Sequence, residues 1–528
     1  MTRPRLLAPR LFLATLLAAA IPAVAPRAQS LTLALASTPT AVDPHFHNLV
    51  PNNAIAAHVF DKLVHQDERQ QLIPGLAESW RPLSDTVWEF RLRAGVTFHD
   101  GAPLEAEDVA ASLRRVPAVP NSPGPFTQFT RGIASVEVVD ARTLRITTRG
   151  PQPLLPTDLS VINIIPRRLE AATTADFRAG TAMVGTGPFR FESFSPGDRV
   201  VLTRNDGYWG GAAHWQRVTL RIIPNDSARA AALLAGDVDA VDAVPITQLE
   251  ALKRRPDLRL FRATSNRVMF LSFDTFRETT PHATQRGGAA MPNPLRDPRV
   301  RAAISRAINR PAIVDRLMEG EAIAAGGLLA DGFFGASPRL TPEAFDLDGA
   351  RRLLREAGLP NGFALTIHGP NDRFPNDEKI LQAVAQMLQR AGIETRAEAL
   401  PFNTILSQGG PPNHAYSTML LGWGSNTGEA SSPLRALLAT MDRDRGMGVG
   451  NRGRYSNPAL DAVIQQALST VDDAARSALL QQASEMAMAD HALVPILYQV
   501  NIWATRGGIA YTPRADEWTL ARFFTPAN

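Results

Sequence analysis

Residues 363–400 read FALTIHGPNDRFPNDEKILQAVAQMLQRAGIETRAEAL. FALTIHG has the length and apolar character of a buried strand, and the Asn, Asp, Gly and Pro residues after it mark a loop. NDEKILQAVAQMLQRAGI is patterned as a helix, with Asn376 at its N-cap and Gly392 at its end. IETRAEAL returns as a strand. Strand, helix and strand form a βαβ unit, whose crossover requires neighbouring parallel strands, so this part of the chain is an α/β lobe.

The same grammar extends in both directions. Upstream, DLDGARRLLREAGLP is a helix stopped by Gly358 and Pro360, and Asp297 with Pro298 caps a helix that spaces Val300, Ala303, Ile304 and Ile308 on one face. Downstream, AYSTMLLGW (Ala415 to Trp423) is an apolar run of strand length, and GSNTGEASS is the loop beyond it. Ligands of open α/β sheets bind outside the carboxyl ends of strands. Trp423 therefore stands where a ligand is expected. In the N-terminal half, LTLALAS (31–37) alternates as a strand and TPTAVDPHFHN follows as a turn-rich loop. TVWEFRL (86–92) alternates again, and RAGVTFHDGAPLEAEDVAASL runs through turns into a helix capped near Glu105 to Asp108. The Pro- and Gly-rich interval 117–129 reads as irregular.

Composition narrows the class. The chain has 528 residues, 45% hydrophobic and 20% charged, enough apolar material for about three domains or two lobes with one composite. Arg3, Arg5 and Arg10 precede the apolar LFLATLLAAAIPAV and the small residues of AVAPRAQS, the pattern of a secretory signal peptide cleaved after Ala25 or Ala28. Without residues 1–28 the 55 basic residues fall to 51, equal to the 51 acidic ones, so the apparent basicity belongs to the leader. A nucleic-acid partner would need a basic stripe, and none remains. There is no cysteine, which fits an oxidising compartment and excludes thiolate metal sites, a thiol nucleophile and a lipidated N-terminal cysteine.

Several clusters carry chemistry-bearing side chains. Asp237, Asp239 and Asp242 lack the glycine and distal glutamate of a calcium loop and read as a turn with acids. VGTGPF (184–189) has the glycines of a phosphate cradle but no lysine or opening helix, so it reads as a structural turn. His45 and His47 line a cleft, bind a metal or simply order their loop, and His99 orders the Asp100-Gly101 turn. No Gly-x-Ser-x-Gly elbow, zinc-binding helix pair or spaced Ser/Lys motif occurs.

Taken in order, LALASTPTAVDPHFHN, VFDKLV, LIPGLAESW, WEFRLRAGVTFHDGAPLEAEDV, VGTGPFRF, NDGYWGG, GDVDAV, RDPRVRAAISRAINR, GARRLLREAGL, GRYSNPALDAVIQQAL and VPILYQVNIWA resemble a known family across nearly the whole mature chain. It is that of the large periplasmic substrate-binding proteins of ABC transporters, extracellular solute-binding protein family 5, which carry oligopeptides, dipeptides, nickel complexes and related solutes. The resemblance implies a type II two-lobed fold with an extra domain enlarging the first lobe. On that plan residues 29–60, 183–278 and 501–528 form lobe I, 61–182 the extra domain and 279–500 lobe II. It implies a soluble monomer in the periplasm, no cofactor and no enzyme activity, which captures a small solute between closing lobes and delivers it to an inner-membrane permease.

The implied ligand-binding residues are Trp423, Gly424, Ser425 and Asn426, with Thr38, His47 and Asn48 from the first loop and Tyr498 and Asn501 near the return to lobe I. Gln499, Trp503, Phe270, Ser272 and Asp274 are weaker candidates at the lobe crossings. In the family an acid commonly stands three residues after the tryptophan and, in peptide binders, holds the free amino group; here that position is Asn426. A peptide-like or other polar solute, a nickel or metal chelate, and, from other classes, a secreted hydrolase or a periplasmic chaperone or chemoreceptor partner are the alternatives left open.

Overall fold

A computed structural model describes residues 30–527. The expected leader lies outside the described residues. The first strand, β1 (Ser30–Leu35), is followed by α1 (Val50–Val59), which opens with Pro51 in its first turn. The hairpin β2 (Val64–Gln66) and β3 (Leu72–Pro74) leads into a separate antiparallel sheet. That sheet comprises β4 (Ala77–Ser84), β5 (Val87–Leu92), β6 (Ile133–Asp140) and β7 (Thr143–Thr148), in the order β4-β5-β7-β6. Between β5 and β6 lies α2 (Ala106–Ala118), and its Val109, Leu113 and Val116 share a core with Trp88, Phe90, Leu144 and Ile146. This sheet and α2, which we call the extra domain, have a hydrophobic core of their own.

The remaining strands form, near the C-terminus, an antiparallel pair of Ile509–Tyr511 with Phe524–Pro526 and otherwise a 12-stranded sheet. Its first half contains β1, the antiparallel β8 (Phe189–Ser195), β9 (Arg199–Arg204) and β10 (Arg217–Ile222), then α3 (Asp226–Ala235) and β11 (Ala240–Val241). A long strand, β12 (Leu258–Phe273), crosses to the second half. There follow β13 (Ala283–Thr284), α4 (Pro298–Ala307), β14 (Ala322–Ala324), β15 (Ala364–Pro370), α5 (Asp377–Ala391), β16 (Glu394–Leu400), β17 (Thr418–Gly424) and α6 (Asp473–Ala489). The second long strand, β18 (Leu493–Arg506), returns. The strand order is β13-β15-β17-β12-β18-β11-β1-β10-β9-β8, so the two lobes share a sheet only through β12 and β18.

These two strands pair antiparallel along most of their length, but the register shifts between Thr264 and Val268, where three residues of β12 face Gln499. A bulge of this kind bends a strand and leaves residues without ladder partners. Pairing with β17 begins at Arg267 and Val268 and pairing of Leu258 to Thr264 with Val500 to Arg506 ends there, so the bulge marks the passage between lobes.

The βαβ reading holds in detail. β15 pairs β16 in parallel from Ala364↔Glu394 to Pro370↔Leu400, and α5 crosses between them. Its Ile380, Leu381, Val384 and Leu388 are fully buried. The capping mechanism differs from the expected one. Asn376 adopts a left-handed φ of 55° and donates its side-chain amide to Leu317 O at 2.7 Å, while Asp377 accepts from the backbone N–H groups of Arg373 and Phe374. Asn suits the site because its short polar side chain tolerates that conformation. At α4 the expected cap is present, Asp297 accepting from Arg299 N at 2.8 Å. The interval expected to be irregular from residue 117 begins slightly later: α2 carries Pro117 in its last turn, where it forgoes the N–H that would donate to the carbonyl four residues back, and Thr127–Thr130 forms one further helical turn.

Candidate functional site

A cavity of about 740 Å³ separates the two lobes. One wall comes from the loop between β15 and α5, residues 371–379 of the second lobe. The facing wall is formed by the end of β1, the start of α3, residues 242–247 and the returning strand β18 with Glu517 and Thr519. The ligand-side loop thus lies just beyond the carboxyl end of β15, where an α/β sheet presents its binding residues.

The second-lobe wall carries two cations, Arg373 and Lys379, and Arg373 is the one among aromatic rings. Its guanidinium makes no hydrogen bond or ion pair among the described residues and stacks over Phe374 and Phe402, 5.3 and 5.7 Å from the ring centroids. By surface area the side chain is exposed, but the surface it presents opens into the cleft, whose walls withdraw bulk water. That burial pushes its pKa below the usual guanidinium value, and the neighbouring Arg267 adds to the effect. Arg267, in the β12 bulge, is itself held in a two-pronged pair with Glu517, Nε to Oε1 and Nη2 to Oε2 both at 2.9 Å, and Ser265 Oγ donates to the same carboxylate at 2.7 Å. Burial opposes ionisation of Glu517, and the Arg267 pair overcomes it and holds the carboxyl below its usual range. Glu517 is neutralised; Arg373 is not.

Facing them on β18 are two amides two residues apart, so both point to one face of the strand. Gln499 Nε2 donates to Asn501 Oδ1 at 2.7 Å, which leaves Gln499 Oε1 and Asn501 Nδ2 without partners. Asp242 lines the same cavity, where burial raises its carboxyl to about 6. It accepts from Ala36 N at 2.7 Å, and Asp239 accepts from Thr32 N at 2.8 Å, so these acids secure the edge of β1. Among the described residues no group of three His, Cys, Asp or Glu is arranged to hold a metal.

Of the expected ligand-binding side chains, only Asn501 belongs to the wall of this cavity among the described residues. The others are placed by the alternation of β17. A Cβ at Gly422 would approach the Phe374 ring of the cavity wall to 2.7 Å, and one at Gly424 would meet Arg267 Nη2 at 3.1 Å, so both glycines make room for side chains from other elements. Trp423 points to the opposite face. It is half-buried on the core that contains Leu437 and Leu438, and its Nε1 donates to Ser432 Oγ at 3.2 Å. Ser425 is buried, with Oγ donating to Glu429 O at 3.0 Å, and Asn426 is exposed, its carbonyl accepting from Gln70 Nε2 at 3.2 Å.

The first loop is tied to the extra domain: Asn48 N donates to Gly124 O at 2.7 Å, Asn48 Oδ1 accepts from Asn53 Nδ2 at 2.8 Å, and His47 Nδ1 lies 2.9 Å from Thr40 Oγ1. Thr38 is exposed. His45 is buried beside Arg115 and Asp43 with Nε2 2.7 Å from Asn163 O, and burial lowers its pKa, so it orders the loop in neutral form. Tyr498 is buried, its hydroxyl accepting from Gly327 N at 3.0 Å. His99 joins two motifs rather than one turn, with Nε2 3.0 Å from Gly187 O and Nδ1 accepting from Gly185 N. Arg373 escaped the sequence reading although the strand-end rule that singled out Trp423 applies equally to it, three residues beyond β15. Glu517 and Arg267 had no local signal.

Residues 71–443 match the bacterial extracellular solute-binding proteins, family 5 Middle. The chain belongs to this family. It is 29% identical over 468 residues to the glutathione-binding protein GsiB of Pectobacterium atrosepticum, covering 88% of this chain and 87% of that one. In structure it is similar to HbpA2 of Haemophilus parasuis, with a TM-score of 0.80 and 24% identity over 94% of this chain and all of the other. The periplasmic binding protein DppA of Helicobacter pylori, in complex with the peptide STSA, matches with a TM-score of 0.74 and 24% identity over 94% and 97% of the two chains. The two-lobed α/β fold and the role of solute-binding component of an ABC transporter follow from family membership.

Proposed function

We propose that this solute-binding protein captures a small anionic solute with peptide-like amide groups between its lobes and hands it intact to an inner-membrane permease. The observation that carries the reading is Arg373: a guanidinium in the cleft wall that makes no hydrogen bond or ion pair among the described residues, opposite an amide pair with one donor and one acceptor free. A carboxylate on the solute satisfies the first and an amide the second. The kinship with a glutathione-binding protein and with a peptide-bound DppA supports the same class. The protein acts as a periplasmic monomer after removal of its leader at Ala25 or Ala28, which N-terminal sequencing of the secreted protein checks.

Native mass spectrometry of the purified protein identifies any solute carried through purification, and an intact solute separates delivery from hydrolysis, which would leave cleavage products. A metal chelate would show its isotope pattern in the same spectrum. For a solute so identified, calorimetry with the free acid and its amide, on the native protein and Arg373→Gln, tests the anchor. A charged hydrogen bond of this kind contributes about 1.5–3 kcal/mol, so the free acid should bind roughly 10–150-fold more weakly to the variant. Equal affinity of acid and amide for the native protein would remove Arg373 from the site.

A further inference from the structure

Far from the β15 end of the cleft, a second, smaller cavity of about 70 Å³ lies where the extra domain meets the C-terminal segment. Lys62 enters it between the two and is 7% exposed. None of its three ammonium N–H groups finds a hydrogen-bond acceptor among the described residues, and its Nζ lies over the face of Trp518, 4.8 Å from the ring centroid. Burial pulls its pKa down to about 8 against the attraction of Asp61 and Asp516, with Arg514 adding to the fall, which leaves it largely charged at neutral pH.

The remaining charges of the wall are already matched. Asp61 accepts from Tyr208 Oη at 3.0 Å, Trp209 Nε1 at 2.8 Å and Thr186 Oγ1 at 2.9 Å, and lies 3.3 Å from His65 Nε2. Asp516 is taken by Arg514 and by Trp518 N at 3.0 Å. Arg522 donates to Tyr208 Oη and Gly210 O, both at 3.0 Å. His58 is neutral, since burial lowers it to about 4 while its Nε2 accepts from Ala521 N. Lys62, Arg514 and Arg522 therefore stand against two carboxylates, Asp61 and Asp516, and one positive charge is left over.

A buried ammonium without an acceptor is costly unless a counter-ion or water reaches it. A water needs roughly 10–15 Å³ of this kind of volume, so the cavity has space for several waters, or for one small anion with water beside it. We propose that this junction is an anion site, in which a small monovalent anion, between chloride and nitrate in size, sits on the Lys62 ammonium and joins the extra domain to the C-terminal segment of the first lobe. The site is separate from the solute cleft and does not depend on what the cleft binds.

Two measurements on the full mature protein test it. At fixed ionic strength, replacing gluconate, too large for the cavity, by millimolar chloride should raise the melting temperature of the native protein by about 2–4 °C. Lys62→Met, which keeps the stem and removes the charge, should abolish that difference. Crystals of the native protein soaked in bromide should show an anomalous peak in hydrogen-bonding contact with Lys62 Nζ, a readout independent of how the variant folds. Equal melting in the two salts with no peak would show that water alone fills the cavity and overturn the proposal. A peak confined to molar bromide, with no effect of millimolar chloride on melting, would overturn it equally.

Discussion

Asn426 sits where an acid commonly holds a ligand ammonium in peptide-binding relatives of this fold, and the nearest acid in its loop does not substitute for it. Glu429 is buried and accepts from Arg476 Nη1 at 2.8 and 3.1 Å and from Ser431 Oγ. Arg476 in turn stacks over Phe334 at 4.3 Å. Glu429 therefore fastens the loop to α6 and has no free lone pair directed at a solute amine. With no carboxylate offered from this loop, the solute is expected to carry no free ammonium toward it. Asn426 is itself exposed and outside the cavity wall, so Asn426→Asp should change the affinity for free-amine peptides by no more than about 1 kcal/mol, read by calorimetry on a short-peptide panel with and without N-acetylation. Tight binding of free-amine peptides to the native protein, lost on acetylation, would contradict this. Removing the charge of Glu429 instead should act on folding: Glu429→Gln leaves the buried Arg476 only the exposed Asp473 as counter-ion and should lower stability by up to about 3 kcal/mol in a denaturant titration, whereas the same change at an exposed acid such as Asp348 should leave it nearly unaltered.

At the level of elements, the sequence is most legible where one local pattern decides the outcome. FALTIHG, the helix after it and IETRAEAL became parallel neighbours because apolar spacing, length and the Gly392 stop all agree, and the α4 cap was visible in Asp297-Pro298. Asn376 gave the right boundary for the wrong reason, since its side chain is drawn to Leu317 O by a tertiary contact that the local sequence does not contain. The candidate site was legible only in part for the same cause. Gly422 and Gly424 stand in the stretch the sequence singled out, but the groups they make room for, Phe374 and Arg267, come from other elements, and Glu517 arrives from the end of the chain. Asp158 is another case. It lies in the short helix Leu155–Leu159 of the extra domain, accepts from Gln152 Nε2 at 2.9 Å, and faces Arg435 and Glu429 of the second lobe and Arg131 of its own domain. Burial raises its carboxyl from 3.8 to about 7. Between those values the folded state keeps a proton that the unfolded chain has released, so stability falls as pH rises through the window and is lowest above it. Asp158→Asn keeps the bond from Gln152 and removes the titration. It should melt near the native protein at pH 5 and higher at pH 8, by at most about 4 kcal/mol. A variant that melts lower at pH 8 would mean that Arg435 and Arg131 hold the carboxylate ionised.

For the molecule as a whole, the architecture confines lobe movement to one place and its restraint to another. Only β12 and β18 run through both lobes, and their register is broken at Thr264 to Val268, where few ladder bonds oppose bending. Away from that bulge, the β2–β3 hairpin of the extra domain grips the loop after β17. Gln70 Nε2 reaches Ser425 O at 3.3 Å and Asn426 O at 3.2 Å, its Oε1 accepts from Asn266 Nδ2 at 2.8 Å, and Gln66 Nε2 donates to Thr427 O at 3.2 Å. Gly428 fits only because a Cβ there would come within 2.5 Å of Gln70 Cβ. The bonds to residues 425–427 join the extra domain to the second lobe, so opening the cleft about the bulge must break them, whereas the bond to Asn266 belongs to the bulge itself. Gln70→Ala removes two of the crossing bonds at about 0.5–1.5 kcal/mol each, for a total of about 1–3 kcal/mol in favour of the open form. The solute should then bind roughly 5–150-fold more weakly, mainly through faster release, because neither the walls of the cavity nor the encounter with solute is altered. Small-angle scattering of the solute-free variant should give a larger radius of gyration than the native protein, with the two converging when solute is saturating. An unchanged radius together with unchanged release would mean that the hairpin contacts do not hold the lobes together and that closure depends on the solute alone.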